Sequence, residues 1–148
     1  MRRTKPPAPA IGSADDVEVE FYESLQRGDI ERLMGLWSDD DEISCVHPGG
    51  PRLVGAVAIR ASFDALFANG AIDARPEKVR RLDAHSTAVH SVLERIRVRG
   101  PEGEAFAFVV ATNVYVKATR GWRLVAHHAS PGTASEVQDI AETASILH

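Results

Sequence analysis

The amino-acid sequence predicts an α+β fold in which a strongly curved antiparallel sheet is covered by N-terminal helices. In the first half of the chain, apolar residues recur at the spacing of one helix face. In the second half, apolar and polar residues alternate in long segments between short turns. The 148 residues are enough for one domain with a sizeable core. Helices that are apolar on one side need an apolar surface to pack against, and the sheet predicted for the second half of the chain supplies it.

Composition narrows the classes of function. Hydrophobic residues make up 44% of the chain and charged residues 26%, as in an ordinary globular protein. No apolar run reaches the length of a membrane span, and the basic start leads into a Pro-rich stretch rather than a signal-peptide core. We therefore expect a cytoplasmic protein with no membrane partner. The single cysteine, Cys45, is expected to be a buried, inert thiol.

The charge is unevenly distributed along the chain. Residues 15–42 carry eleven acids and two bases, a net of −9, whereas residues 75–99 carry seven bases and three acids, a net of +4. Three of these bases, Arg95, Arg97 and Arg99, share one face of a predicted strand. We interpret them as a solvated edge, because the whole chain is acidic and no aromatics interleave with them. Nucleic acid is therefore not an expected partner.

Three parts of the chain differ in character. Residues 1–12 form a Pro/Ala-rich basic tail that we expect to be disordered. Residues 13–132 form the folded domain. Residues 133–148 are predicted to form a C-terminal helix, because Thr133 and Glu136 resemble a capping box.

Three helices are predicted before the sheet. Ser13 is an N-cap and Gly28 a C-terminal stop for the first helix, Asp29 caps a short second helix, and the third follows Gly55. Each has an apolar stripe, formed in turn by Val17, Phe21 and Leu25; by Ile30, Leu33, Met34 and Trp37; and by Ile59, Phe63, Leu66 and Phe67.

The sheet is predicted from two short and four long strands. The short strands are 43–47 and 52–54, and the long ones are 77–83, 87–99, 104–117 and 122–130. Short turns between long strands predict antiparallel neighbours. The two longest strands would run about 40 Å, which is long for a domain of this size, so we expect the sheet to curl. Residues 104–117 are apolar on both faces, which predicts helices on one face and a second subunit on the other.

The last strand carries two adjacent histidines, His127 and His128. Alternation places Arg123, Val125 and His127 on one face, and His128 with Leu124 on the other. Each imidazole needs a partner, since a buried polar group without a hydrogen bond costs about 1–3 kcal/mol. A pocket on one face and a subunit contact on the other would supply these partners.

Several local patterns together resemble the nuclear transport factor 2-like superfamily, and in particular its SnoaL-like branch. They are the run Gly28-Asp29-Ile30 followed by Leu36-Trp37-Ser38-Asp39-Asp40, the run Val46-His47-Pro48-Gly49-Gly50, and the terminal strand from Gly121 to Ser130. The resemblance implies a cystatin-like, cone-shaped α+β barrel with a pocket at one end. The superfamily holds isomerases, cyclases and dehydratases beside non-enzymatic domains, so it implies the fold more firmly than the function.

Matching by motif suggests roles for individual residues. His47 stands where ketosteroid isomerases of the superfamily carry an aspartate base. Asn113 stands near their second aspartate, and Phe21 replaces their donating tyrosine, so the oxyanion hole is not kept. The terminal strand also resembles the association domain of calcium/calmodulin-dependent kinases, which assembles through its sheet. By that match, His127 faces the pocket and His128 the other side of the sheet.

These observations define the predicted site. Its catalytic residues are His47, Asn113 and His127, with a histidine as base and Asn113 orienting a carbonyl, and its ligand-binding residues are Phe21, Trp37, Phe63 and Tyr115. No His or Cys pair has metal-ligand spacing, so neither metal nor cofactor is expected.

The expected function is cofactor-independent isomerisation, cyclisation or dehydration of a small apolar or carbonyl-containing molecule by a homodimer. The alternative is a non-catalytic ligand-binding or assembly domain.

Overall fold

The computed structural model describes residues 11–133 of the chain. The elements, in chain order, are α1 (Ala14–Arg27), α2 (Ile30–Gly35), β1 (Ser44–Val46), β2 (Arg52–Val54), α3 (Ala56–Phe67), β3 (Ala74–Asp83), β4 (Thr87–Gly100), β5 (Gly103–Ala118) and β6 (Gly121–Pro131). The predicted α+β class is confirmed.

The strands form one six-stranded sheet in the order β2-β1-β6-β5-β4-β3. All neighbours are antiparallel except β1 and β6, which run parallel. The antiparallel pairing predicted for the four long strands is confirmed, but the sheet as a whole is mixed rather than antiparallel. The sheet is open, with β2 and β3 at its edges, and the predicted closed barrel is therefore also wrong. Closure would need β2 to pair with β3, but β2 has only three residues and β3 has ten.

The helix ends follow the predicted caps. The Ser13 hydroxyl accepts a hydrogen bond from the Asp16 amide at 3.1 Å, and the Asp29 carboxylate accepts one from the Arg32 amide at 3.1 Å. Gly28 adopts a left-handed conformation with φ of 64°, and its N–H caps the end of α1. A side chain at this φ would be strained, so glycine suits the sharp turn between α1 and α2.

Buried residues of the three helices and of the sheet form one core. Members from the helices include Val17, Phe21, Leu33, Ile59 and Phe63, and members from the sheet include Cys45, Val92, Tyr115 and Leu124. We call the side of the sheet that bears Ala111, Asn113 and Tyr115 the inner face, because the last two contact α1. The predicted curvature of the sheet stays a prediction.

Strand β6 contains a bulge that the sequence did not reveal. Asn113 pairs with His127, but the register then shifts, so Tyr115 pairs with Leu124. His127 and Leu124 therefore share the inner face, and Val125 is the extra residue. The predicted grouping of Val125 with His127, opposite Leu124, was wrong because a bulge interrupts the period of two. His127 is buried and His128 is exposed.

The opposite side of the sheet, which we call the outer face, is partly open to solvent. Phe108, Val110 and Val114 of β5 are half-buried there, whereas Val109, Ala111 and Tyr115 on the inner face are buried. Both faces of the sheet thus carry apolar side chains, but among residues 11–133 helices cover only the inner face.

The first described residue, Ile11, pairs with the start of β6. Ile11, which the sequence assigned to the tail, accepts a backbone hydrogen bond from Trp122 at 2.8 Å. Gly121 is needed there, because its φ is 95° and a Cβ would lie 2.6 Å from the backbone of Ile11. Most of the predicted tail and the predicted C-terminal helix lie outside the described residues. Within residues 11–133, no helix is long and apolar enough to cross a membrane.

Two residues of α3 test the assignment of its buried face. Ile59 is completely buried, whereas Val57 is 88% exposed. Ile59→Ala should lower the free energy of unfolding by about 2–5 kcal/mol because it leaves a cavity. Val57→Ala should change it by less than about 0.5 kcal/mol. Urea unfolding measures both, and equal losses would contradict the helix orientation.

Candidate functional site

A chain of hydrogen-bonded side chains crosses the inner face. His127 Nδ1 lies 2.5 Å from Asn113 Oδ1, Asn113 Nδ2 donates to the Tyr22 hydroxyl at 3.2 Å, and that hydroxyl donates to Glu94 Oε2 at 2.7 Å. All four side chains are at most 5% exposed. We call this set the inner relay. It joins β6 to β5, then α1, then β4.

The inner relay determines which His127 nitrogen carries the proton. The amide oxygen of Asn113 can only accept, so His127 must donate from Nδ1. The Asn113 amide nitrogen then donates to Tyr22, whose own proton goes to Glu94. His127 is therefore held with a proton on Nδ1 and a lone pair on Nε2.

A second buried group lies beside the inner relay. Glu18 Oε2 accepts from the Tyr115 hydroxyl at 2.8 Å and lies 2.7 Å from His90 Nδ1. The His90 ring also packs on Tyr115, with centroids 4.9 Å apart. His90 Nε2 lies 3.9 Å from Asp15 Oδ1, at the surface end of the group. The inner relay and this second group thus place two carboxyl groups, two tyrosines and two histidines in the same interior: Glu18, Glu94, Tyr22, Tyr115, His90 and His127.

His47 lies at the end of β1 and is half-buried. Its Nε2 is 2.9 Å from the Ser62 hydroxyl, which itself donates to the Ile59 carbonyl at 2.7 Å. With the Ser62 proton on the Ile59 carbonyl, His47 donates from Nε2, and this tautomer leaves the lone pair on Nδ1. The Cys45 sulfur lies 3.8 Å from the same nitrogen.

Two phenylalanines link the histidines. Phe21 lies 5.1 Å from His127 between ring centroids, and Phe63 lies 4.9 Å from His47. The two phenylalanine rings are 6.4 Å apart. The structure thus brings together His47, Phe63, Phe21 and His127, with Asn113 behind His127.

The other two predicted residues, Tyr115 and Trp37, both adjoin Leu124 of β6. Tyr115 pairs with Leu124, and the backbone of Trp37 bridges to Leu124. Within the described residues, the buried Trp37 indole nitrogen has no hydrogen-bond partner. Phe21, Asn113 and Tyr115 are 0% exposed, so a ligand reaches them only if neighbouring side chains move.

Burial changes the acidity of the site. It lowers the pKa of His127 to about 3, and the nearby His47 and His128 add to this effect. Burial also lowers the pKa of His47. It raises the pKa of Glu94 to about 7, partly opposed by the hydrogen bond from Tyr22, and it raises that of Cys45 to about 12. A neutral Cys45 thiol is a poor nucleophile.

Sequence reasoning missed Glu18, Tyr22, His90 and Glu94. A signal existed for two of them, because His90 and Glu94 are in phase with Ala88, Val92 and Ile96 on the buried side of β4. Among residues 11–133, no three His, Cys, Asp or Glu side chains form a metal-binding group.

The open mixed sheet and its helices place the protein in the nuclear transport factor 2-like class with a cystatin-like fold. A family model for the SnoaL-like domain matches residues 15–134, and the chain belongs to that family. No curated protein matches the chain.

Three solved structures illustrate the relationship. A Streptomyces avermitilis protein assigned as a dehydratase of the nuclear transport factor 2-like family is 34% identical, with a TM-score of 0.72 over 80% of this chain and 93% of that one. A Thiobacillus denitrificans protein assigned as a calcium/calmodulin-dependent protein kinase type II association domain is 29% identical. Its TM-score is 0.76, over 84% of this chain and 99% of that one. A cystatin-like protein from Novosphingobium aromaticivorans is 20% identical, with a TM-score of 0.67 over 81% of each chain.

Glu94 makes the stability of the protein depend on pH. Its pKa rises from 4.5 to about 7 on folding, so its contribution is fully present below pH 4.5 and is lost as the pH rises through about 7. The Glu94→Gln side chain stays neutral at every pH. Between pH 4.5 and about 7, the free energy of unfolding of wild type should fall by about 3 kcal/mol more than that of Glu94→Gln. Urea unfolding at several pH values measures this difference. Exposed Glu104→Gln is the control, and an equal pH dependence in both variants would contradict the raised pKa.

Proposed function

We propose that the protein binds a small apolar or carbonyl-containing molecule and catalyses a cofactor-independent proton transfer on it, as an isomerase, cyclase or dehydratase. The main support is the inner relay, which ends at His127 beside the ring of Phe21, and that ring packs on Phe63. Clusters of buried titratable groups with shifted pKa values are typical of functional sites. The 34% identity to a protein assigned as a dehydratase agrees with this class of chemistry.

His47 is the base in this proposal. A general base works best when its pKa is near the working pH, and a pKa of about 3 makes His127 a poor proton acceptor. His47 is only half-buried, and its lowered pKa keeps it neutral and ready to accept a proton at neutral pH. Its Nε2 proton is donated to Ser62, so Nδ1 accepts the proton from the substrate.

His127 orients the substrate, and Asn113 orients His127. Both ends of the Asn113 amide have protein partners, so we assign it the positioning of His127 rather than direct contact with a carbonyl. The Nε2 lone pair of His127 accepts a hydrogen bond from a hydroxyl group of the substrate. Phe21, Phe63, Trp37 and Tyr115 contribute apolar walls.

The reaction needs no redox step. His47 removes a proton from the carbon next to a carbonyl, and the C–H electron pair moves to the carbonyl oxygen to give an enolate. In isomerisation, protonated His47 returns the proton at another carbon. In dehydration, the enolate re-forms the carbonyl and expels a β-hydroxyl group, which takes the proton from His47 and leaves as water.

Isomerisation of a β,γ-unsaturated cyclohexenone to its conjugated isomer tests the proposal. Wild type should accelerate the reaction, measured by ultraviolet absorbance, and should exchange the protons next to the carbonyl for deuterium in heavy water. His47→Gln should reduce the rate by about 10²- to 10⁴-fold, as expected for loss of a general base. His85→Gln changes an exposed histidine after β3 and should keep the wild-type rate.

A binding measurement distinguishes an enzyme from a protein that only binds the ketone. Thermal unfolding first establishes that each variant is folded, and NMR titration with the conjugated cyclohexenone then measures affinity. The catalytic proposal would be refuted if wild type binds the ketone without turnover or deuterium exchange and the His47→Ala variant binds it equally well. That result would favour a non-catalytic domain.

The second candidate is a ligand-binding or assembly domain. It is favoured by the 29% identity to a protein assigned as an association domain. The half-buried apolar side chains of the outer face, among them Val110, Val114 and Ala126, would be covered by a second copy of the chain. We therefore propose a homodimer that forms through the outer face, compatible with either function.

The dimer is tested at Thr112, an exposed residue on the outer face opposite His128. Wild type at micromolar concentration should sediment at twice the 16.1 kDa protomer mass. Thr112→Arg should shift it to the protomer mass, because a buried unpaired charge is costly. Thr119→Arg, in the β5–β6 turn, is the matched control. A wild-type particle of 16.1 kDa would refute the dimer.

A further inference from the structure

The outer face carries a cleft that the proposed reaction does not use. It lies towards the β4–β5 turn, on the opposite side of the sheet from the inner relay. Its volume of about 280 Å³ is close to the lower end of the range for small-molecule sites. The lining residues are Asp73, Arg75, Arg95, Arg97 and Phe106.

The three arginines bring like charges close together on neighbouring strands, which does not favour the sheet. Arg75 of β3 and Arg95 of β4 are directly opposite each other in the antiparallel register, and Arg97 follows on the same face. Like charges directly opposite each other destabilise a sheet. The cluster is also positive on a chain whose net charge is −4.

Each of these arginines also has a carboxylate within 4.0 Å. Asp73 is shared, with its two oxygens 3.1 Å from Arg75 Nε and 4.0 Å from Arg97 Nε. Glu77 lies 3.3 Å from Arg95 Nε, and Glu104 lies 3.4 Å from an Arg97 amino group. Three carboxylates therefore face the three arginines, and of these acids only Asp73 lines the cleft.

Arg95 is the best placed of the three to bind a ligand. Its guanidinium carbon lies 5.0 Å from the centre of the Phe106 ring. Stacking on an aromatic ring leaves the N–H groups at the guanidinium edge for partners in its plane. Arg95 Nε is buried 3.3 Å from Glu77 and, among the described residues, forms no hydrogen bond.

We propose that this cleft is a second ligand site, which binds an oxyanion. Arg95 contributes a planar set of donors that suits two oxygens of one group, and Arg75 and Arg97 contribute the flanking charges. Phe106 is 46% exposed and offers apolar surface to the rest of a small ligand. A phosphate monoester and a dicarboxylate share this chemistry.

Titration of the full chain at low ionic strength with inorganic phosphate, and separately with succinate, tests the proposal. NMR signals of the arginine Nε–H groups should shift saturably, with the largest change at Arg95. Arg95→Gln and Arg97→Gln should each weaken binding about tenfold, as expected for loss of a charge-assisted hydrogen bond. Tighter binding of phosphate identifies a phosphate site, and tighter binding of succinate a dicarboxylate site.

The matched control is Arg99→Gln, since Arg99 is on the same strand and face but does not line the cleft. It should bind the probes as wild type does. Equal weakening in Arg95→Gln and Arg99→Gln would mean general charge attraction and overturn the proposal, as would shifts that do not saturate. Thermal unfolding verifies that each variant is folded. Activity on the cyclohexenone plays no part, so this test is independent of the proposed function.

Discussion

The hydrogen bonds between α1 and the sheet set the geometry of the whole interior. Asn113 and Glu94 are buried in β5 and β4, and each depends on the hydroxyl of Tyr22 for a partner. A buried polar group without a partner costs about 1–3 kcal/mol, so these hydrogen bonds favour the observed register of α1 against the sheet. That register also places Phe21, the neighbour of Tyr22, against His127. The polar chain thereby positions the aromatic rings as well.

Local rules predicted most of the fold. Helix caps at Ser13 and Asp29 and the turn at Gly28 depend on the chemistry of single residues, and the sequence carries that chemistry directly. Pairing between distant segments has no such signal. The parallel contact of β1 with β6 and the bulge at Val125 depend on a partner strand, and the period of two in one strand does not reveal them.

The site was predicted unevenly for a related reason. His127 and Asn113 stood out because they are polar residues in apolar strands, and they do contact each other. Glu18 and Glu94 did not stand out, since acidic residues are usually exposed. Their partners, His90 and Tyr22, are each 72 positions away in the chain. Only the fold shows that these charges are buried and hydrogen-bonded.

The short β1 and β2 strands have a consequence for movement of the protein. Each has three residues, and β2 forms the outermost position of the sheet. Local opening costs least where few backbone pairings must break, so this corner should detach far more often than the long strands. Cys45 of β1 pairs alongside His127. Each such excursion would uncover the imidazole, giving a molecule from solvent a route into an interior that is otherwise sealed.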